Sequence, residues 1–196
     1  MSDLAGAEYT IDPVTLRAQP VDAAAMECCA RALQAQAAQA VETTENARLA
    51  SHAAMLFTLL GQFEPAAALV EFALARQPLT SHLYDRTVTE IRHAQLHQFA
   101  GRLPQAQALL QGVIARCRSE ATASALLDFA LQHQGKVLFD QGLCRQALGC
   151  FQEALVLRQT KKNPELMAST ELAIATTTQR LDRTGTQPGR AGPASP

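Results

Sequence analysis

The chain has no tryptophan and few other rings: two tyrosines and seven phenylalanines hold aromatics to 5% of 196 residues. An aromatic-rich sheet core is therefore excluded, and with apolar types at 47% the interior must be alanine and leucine on helices. It has no surplus of either charge. A net charge of −1 excludes a dedicated nucleic-acid binder, which carries a concentrated basic excess. No run of about 18 apolar residues occurs, so no membrane-spanning helix is expected. The opening Met1–Glu8 lacks the basic-then-apolar order of a secretory leader. There is also no Cys-x-x-Cys pair. The five cysteines, at 28, 29, 117, 144 and 150, have no zinc-site spacing. Cys117, Cys144 and Cys150 fall where small hydrophobes belong, which points to reduced thiols, a reducing compartment and a cytoplasmic location.

Catalytic patterns are missing too. No carboxylates pair in an apolar context, no serine sits in Gly-x-Ser-x-Gly, and no glycine loop is built to cradle phosphate. These absences argue against an enzyme, and no cofactor is expected. His93 and His97 stand four apart on one helix, a spacing that lets two imidazoles reach one metal. Ala94 replaces the glutamate of such a motif and no third ligand is placed, so a packing role is expected and no metal. Cys28 and Cys29 are adjacent on a helix and point about 100° apart, which leaves no redox pair. Charge is uneven along the chain: residues 1–45 carry seven acids against two arginines, and residues 158–196 six basic residues against three acids. Such an acidic head and basic tail allow self-association, although runs of this kind usually form solvated surface.

What the chain does have is a repeat. The stretch beginning Gly61-Gln-Phe-Glu-Pro-Ala-Ala-Ala-Leu-Val returns at Gly101 and again at Gly142, spacings of 40 and 41 residues. Aligning the glycines stacks Phe63 on Leu103 and Cys144, Ala66 on Ala106 and Ala147, and Val70 on Leu110 and Phe151. Ala73, Val113 and Ala154 follow in register. A period of this length predicts a stacked helical array. Each glycine falls between two apolar-periodic stretches, where the chain turning from one helix to the next needs positive φ. Pro65 and Pro104 then sit where a second helix starts.

The order of small residue, glycine, aromatic or leucine, alanine, then Phe/Leu-x-x-Ala-Leu and a closing proline resembles the tetratricopeptide repeat. Ala54, Phe57, Gly61, Phe63, Ala66, Val70, Ala73 and Pro78 carry it in the first unit. Gly135, Leu138, Gly142, Cys144, Ala147, Phe151 and Ala154 carry it in the third. Units this long resemble the variety found in bacterial regulatory and sensor arrays. The resemblance implies an all-α solenoid of three helical hairpins, with an N-terminal helix and a C-terminal capping helix. Residues 1–20 are expected as an extended or disordered arm and 21–182 as the solenoid, with repeats at about 45–78, 81–118 and 119–160. The capping helix spans 164–181, and residues 183–196 form a disordered tail. Asp22, Thr43-Thr44, Ser119-Glu120 and Asn163-Pro164 are expected helix starts, and one unbroken helix is expected from Ser119 to about Gln141.

In this family the first helix of each repeat lines a concave groove. Carried over position by position, the groove takes Arg48, Ser51, His52, Met55 and Leu59 from repeat one. Repeat two gives Ile91, Arg92, Gln95, Gln98 and Phe99, and repeat three Gln132, His133, Lys136, Phe139 and Asp140. Arg92 and Lys136 suit a carboxylate or peptide backbone, and Met55, Phe99 and Phe139 suit apolar side chains. The family's carboxylate clamp is not reproduced, because Ser51, Met55, Ile91 and Gln95 occupy several of its places. The implied function is a protein- or peptide-binding adaptor, scaffold or chaperone. The alternatives are a sensor whose superhelix responds to a small peptide or metabolite, and an assembly element whose groove is filled by residues 1–20 or by another copy.

Overall fold

The structure, a computed structural model, describes residues 6–185, with side chains through 183. Among these the chain is mostly helical. Two three-residue strands, β1 (Tyr9–Ile11) and β2 (Ala18–Pro20), precede α1 (Ala23–Gln39), α2 (Thr43–Leu59), α3 (Phe63–Ala75), α4 (Leu83–Phe99) and α5 (Leu103–Ser119). Then come α6 (Ala121–Ser124), α7 (Leu127–Asp140), α8 (Cys144–Lys161) and α9 (Pro164–Gly185). Helices adjacent in sequence pack on one another, and α2, α4, α7 and α9 also touch in succession as one row. The proposed tail largely lies outside the described residues.

The three repeated glycines form three equivalent corners. Gly61, Gly101 and Gly142 have φ of 73°, 75° and 78°. Each donates its N–H to the carbonyl three residues back, at 3.0, 3.1 and 3.0 Å, and the following N–H reaches five residues back, at 2.9, 2.8 and 2.9 Å. This pair of bonds closes a helix C-terminus by satisfying carbonyls that would otherwise lack donors. The aligned apolar positions share one environment as well. Ala66, Ala106 and Ala147 are all fully buried, as are Val70, Leu110 and Phe151. In the third unit the glycine Gly135 admits the Phe151 ring: a Cβ built on it would lie 2.4 Å from Cε1.

Helix starts follow local chemistry in part. Asp22 accepts from the N–H groups of Ala24 (2.9 Å) and Ala25 (3.0 Å), a cap worth about 1 kcal/mol. Asn163 Oδ1 accepts from Leu166 N–H at 3.1 Å, opening α9. Thr43 and Thr44 do not cap α2: Glu42 holds that position without a side-chain bond. Thr44 Oγ1 pairs instead with His82 Nε2 at 3.0 Å, across to the next unit. The helix expected from Ser119 to Gln141 is broken at Ala125–Leu126. Lys161 Nζ takes the Ala125 carbonyl at 2.6 Å, and the kink buries Ala123, Leu126 and Asp128 together.

The N-terminal arm is an ordered hairpin. β1 and β2 pair antiparallel, Tyr9 opposite Pro20 and Ile11 opposite Ala18. Asp12 builds the connecting turn by accepting from Val14 N–H (2.7 Å) and Thr15 N–H (2.8 Å). Leu16 in that turn has φ 58°, a left-handed conformation that costs an L-residue about 1–2 kcal/mol. It is nevertheless 1% exposed, packed with Leu138, Phe139, Phe151 and Ala173. The opposite end is fastened by a buried ion cluster. Arg158 Nε donates to Asp128 Oδ2 at 3.1 Å, and its Nη1 reaches Thr170 Oγ1 (2.5 Å) and the Leu166 carbonyl (3.0 Å) on α9. Lys161 Nζ also pairs with Asp128.

Candidate functional site

On α2 the residues Arg48, Ser51 and His52 recur at three- and four-residue spacing and share one face. On α4 the residues Asp85, Val88, Thr89 and Arg92 do the same. Where the two faces meet, at the start of the row, they enclose a pocket of about 240 Å³ completed by Tyr84 and Gln77. Four of the fifteen groove residues expected from the sequence, Arg48, Ser51, His52 and Arg92, are thus brought together.

The pocket has an engaged half and an unengaged half. Arg48 grips Asp85 with both ends of its fork, Nε to Oδ1 at 2.9 Å and Nη2 to Oδ2 at 3.1 Å. That pair neutralises itself. Arg92 Nη1 donates to Ser51 Oγ at 2.9 Å, and Thr89 Oγ1 lies 3.0 Å from the same oxygen and 2.8 Å from Gln77 Oε1. Gln77 is completely buried, and its Nε2 has no partner. Among the described residues Arg92 forms no ion pair, so most of its five N–H donors remain for something else. Burial pulls Arg92 down to about 10, which leaves it charged at neutral pH. Burial, and then the nearby Arg92 charge, pull His52 down to about 4, so its imidazole is neutral there.

Further along the row, α7 contributes Lys136 and His133. Lys136 likewise forms no ion pair among the described residues. Burial, reinforced by Arg158, lowers it to about 8 against the opposing pull of Asp140. His133 is pushed down to about 3 by burial and by Lys136, and its Nδ1 is buried without a partner. The Gln132 Oε1 beside it is also unpaired.

Other expected contact residues are placed differently. Phe139 is 2% exposed, filled against by Leu16 with the Arg180 guanidinium 4.5 Å from its ring centroid, so it presents no open surface. Leu59, Ile91, Gln98 and Gln132 are buried too. Met55 and Phe99 are half-buried against the first core cluster, and Gln95 is half-buried on α4. Asp140 is held at 2.9 Å by Arg17 of the hairpin turn and at 3.0 Å by Gln98. Asp85, Gln77 and Thr89 were not among the expected residues. The i, i+4, i+7 stripe Asp85–Thr89–Arg92 signals the first and third of these, whereas Gln77 arrives from the end of α3 and leaves no periodic trace. His93 and His97 stack at 4.6 Å, and His97 Nδ1 accepts from Arg102 Nε at 2.9 Å.

Comparisons of the chain with family models, curated proteins and solved structures returned no match. No helix among the described residues is long and apolar enough to cross a membrane.

Proposed function

We propose that the chain is a non-enzymatic peptide-binding module, a tetratricopeptide-like array acting as adaptor, scaffold or chaperone in the cytoplasm. Three equivalent glycine corners, the matched burial at aligned positions and the contacts along α2, α4, α7 and α9 support the array. The observation that carries the binding reading is the pair of uncompensated cations on neighbouring helices of that row, Arg92 on α4 and Lys136 on α7. A cation kept largely from water without an anion is costly, and a carboxylate delivered by a ligand removes the cost. The ligand is therefore an extended peptide bearing acidic groups, its carboxylate received by Arg92. The five free thiols fit a reducing compartment.

The test is fluorescence anisotropy with labelled peptides of matched length, acidic, neutral or basic. Acidic peptides are expected to bind best, with affinity falling as salt rises, and to lose at least tenfold against an Arg92→Gln, Lys136→Gln variant. Equal binding of all three charge classes, or indifference to the double substitution, would overturn the reading.

The small pocket between α2 and α4 also favours a second reading. A small carboxylate seated on Arg92 would tie repeat one to repeat two and alter their relative set, as a sensor requires. A rise in Tm with a free dicarboxylate, without any gain from peptides carrying the same groups, would select it.

A further inference from the structure

The far end of the same row is already occupied by the chain itself. The hairpin turn at residues 12–17 seats three groups on four helices. Leu16 is buried among Leu138, Phe139 and Phe151. Arg17 Nη2 donates to Asp140 Oδ2 at 2.9 Å with its guanidinium 5.4 Å from the Phe99 ring centroid. The Pro13 carbonyl accepts from Thr176 Oγ1 on α9 at 2.9 Å. Together these contacts tie a single short turn to α4, α7, α8 and α9.

We infer that this turn is a built-in occupant of the binding row, which a partner segment presenting a large aliphatic residue followed by arginine displaces. The inference rests on reading the row as a peptide-binding face. Three features of the docking argue for an occupant rather than a fixed wall. A two-stranded hairpin of three-residue strands has no stability of its own and holds its shape only while docked. Leu16 is held in a strained left-handed conformation by its surroundings, so release relieves the backbone. The socket also survives the departure of the turn: Gln98 Nε2 remains on Asp140 Oδ2 at 3.0 Å, so the carboxylate is not orphaned when Arg17 leaves. What departure does expose is the apolar hole left by Leu16, which only another aliphatic side chain fills well. The aliphatic–arginine pair therefore defines the competitor. The Arg48–Arg92 pocket is lined by none of the hairpin residues, so a longer peptide can engage Arg92 first and then contest the turn.

The test uses the full chain and a labelled peptide of its own residues 8–21. The receptors are the wild type and a Leu16→Asp, Arg17→Glu variant whose turn no longer seats. The variant is expected to bind the peptide at least tenfold more tightly than the wild type. A peptide carrying the same two substitutions is expected to bind neither receptor. Native-state hydrogen exchange on the wild type supplies a measurement that needs no variant. The amides of Asp12, Leu16 and Val21, which donate within the hairpin, should exchange while those of α4 and α7 stay protected. Equal peptide binding by both receptors, or hairpin amides that open only with global unfolding, would make the hairpin an integral part of the core and overturn the inference. Because the probe comes from this chain, a failed titration with acidic peptides leaves this result independent.

Discussion

Gly135→Ala tests the packing on which the row depends. The new Cβ would fall 2.4, 2.6 and 2.8 Å from Cε1, Cδ1 and Cζ of Phe151. Carbon atoms rest at about 3.5 Å or more, so the methyl group intrudes by about 1 Å. The Phe151 ring is completely buried and cannot swing into solvent. Overpacking of this kind costs about 1–3 kcal/mol, and an overlap with three ring atoms belongs at the upper end. Alanine recovers about 0.5–1 kcal/mol through its better helix propensity. The net loss is therefore about 2 kcal/mol, or a Tm lowered by roughly 4–8 °C for a chain of this size. Gly112→Ala in α5 is the control, since nothing lies within 4 Å of its Cβ position. That substitution should raise Tm by roughly 1–4 °C. Thermal melts followed by circular dichroism compare the two directly. In a Phe151→Leu background the ring is gone, and Gly135→Ala should lose at least about 1 kcal/mol of its penalty. If both alanines shift Tm in the same direction, or if the Gly135→Ala penalty persists without the ring, the close approach of α7 to α8 is not what requires this glycine.

Two further outcomes follow from the charges. Arg158→Ala leaves Asp128, 0% exposed, with only the partly exposed Lys161, and should destabilise the chain by about 3–5 kcal/mol in urea titrations; a loss below about 1 kcal/mol would contradict the fastening of α9 described above. Lys136 has its ordinary value of 10.5 lowered to about 8, so between those pH values the unfolded chain binds the extra proton and stability rises with pH, the full penalty being present below pH 8. Lys136→Met should flatten that rise and stabilise the protein at pH 7 by roughly 1–3 kcal/mol; an unchanged slope would show that Lys136 is not the group responsible.

The corners were legible because their cause is local. Gly61, Gly101 and Gly142 occupy the left-handed position that ends a helix, and the same need recurring at 40- and 41-residue spacing betrays the period. Asp22 and Asn163 are legible for the same reason, each bonding N–H groups two or three residues onward. The break between α6 and α7 was not, because the Ala125 carbonyl is drawn away by Lys161, 36 residues distant. Nor was the seating of Leu16, whose left-handed backbone depends on sockets in α7, α8 and α9. Arg48, His52 and Arg92 were expected as contacts because the resemblance to the tetratricopeptide repeat puts those positions of each first helix on the groove side. Phe139 could not be separated from the core by periodicity, since what covers it includes Leu16 of the arm and Arg180 of α9, both distant in sequence.

The proposed binding accounts for the two cations that the row leaves without ion pairs among the described residues. A buried donor or acceptor without a partner costs about 1–3 kcal/mol, and a chain under pressure for stability alone replaces such groups readily. Here Gln77 Nε2, Gln132 Oε1 and His133 Nδ1 lack partners, and Arg92 and Lys136 lack counter-ions among the described residues. These five lie on the row or in its pocket, while Asn46 Oδ1, Arg116 Nε, Gln134 Oε1 and Gln141 Oε1 are also buried without partners. Elsewhere the ion pairs are formed: Arg86 and Arg116 share Glu90, although Arg116 Nε is buried without a partner, Arg118 pairs with Glu153, and Arg158 and Lys161 share Asp128. Where the chain needs its charges for folding, it matches them. On the proposed reading Arg92 and Lys136, two cations without an ion pair among the described residues and set on neighbouring helices of one row, are the groups that an acidic ligand completes.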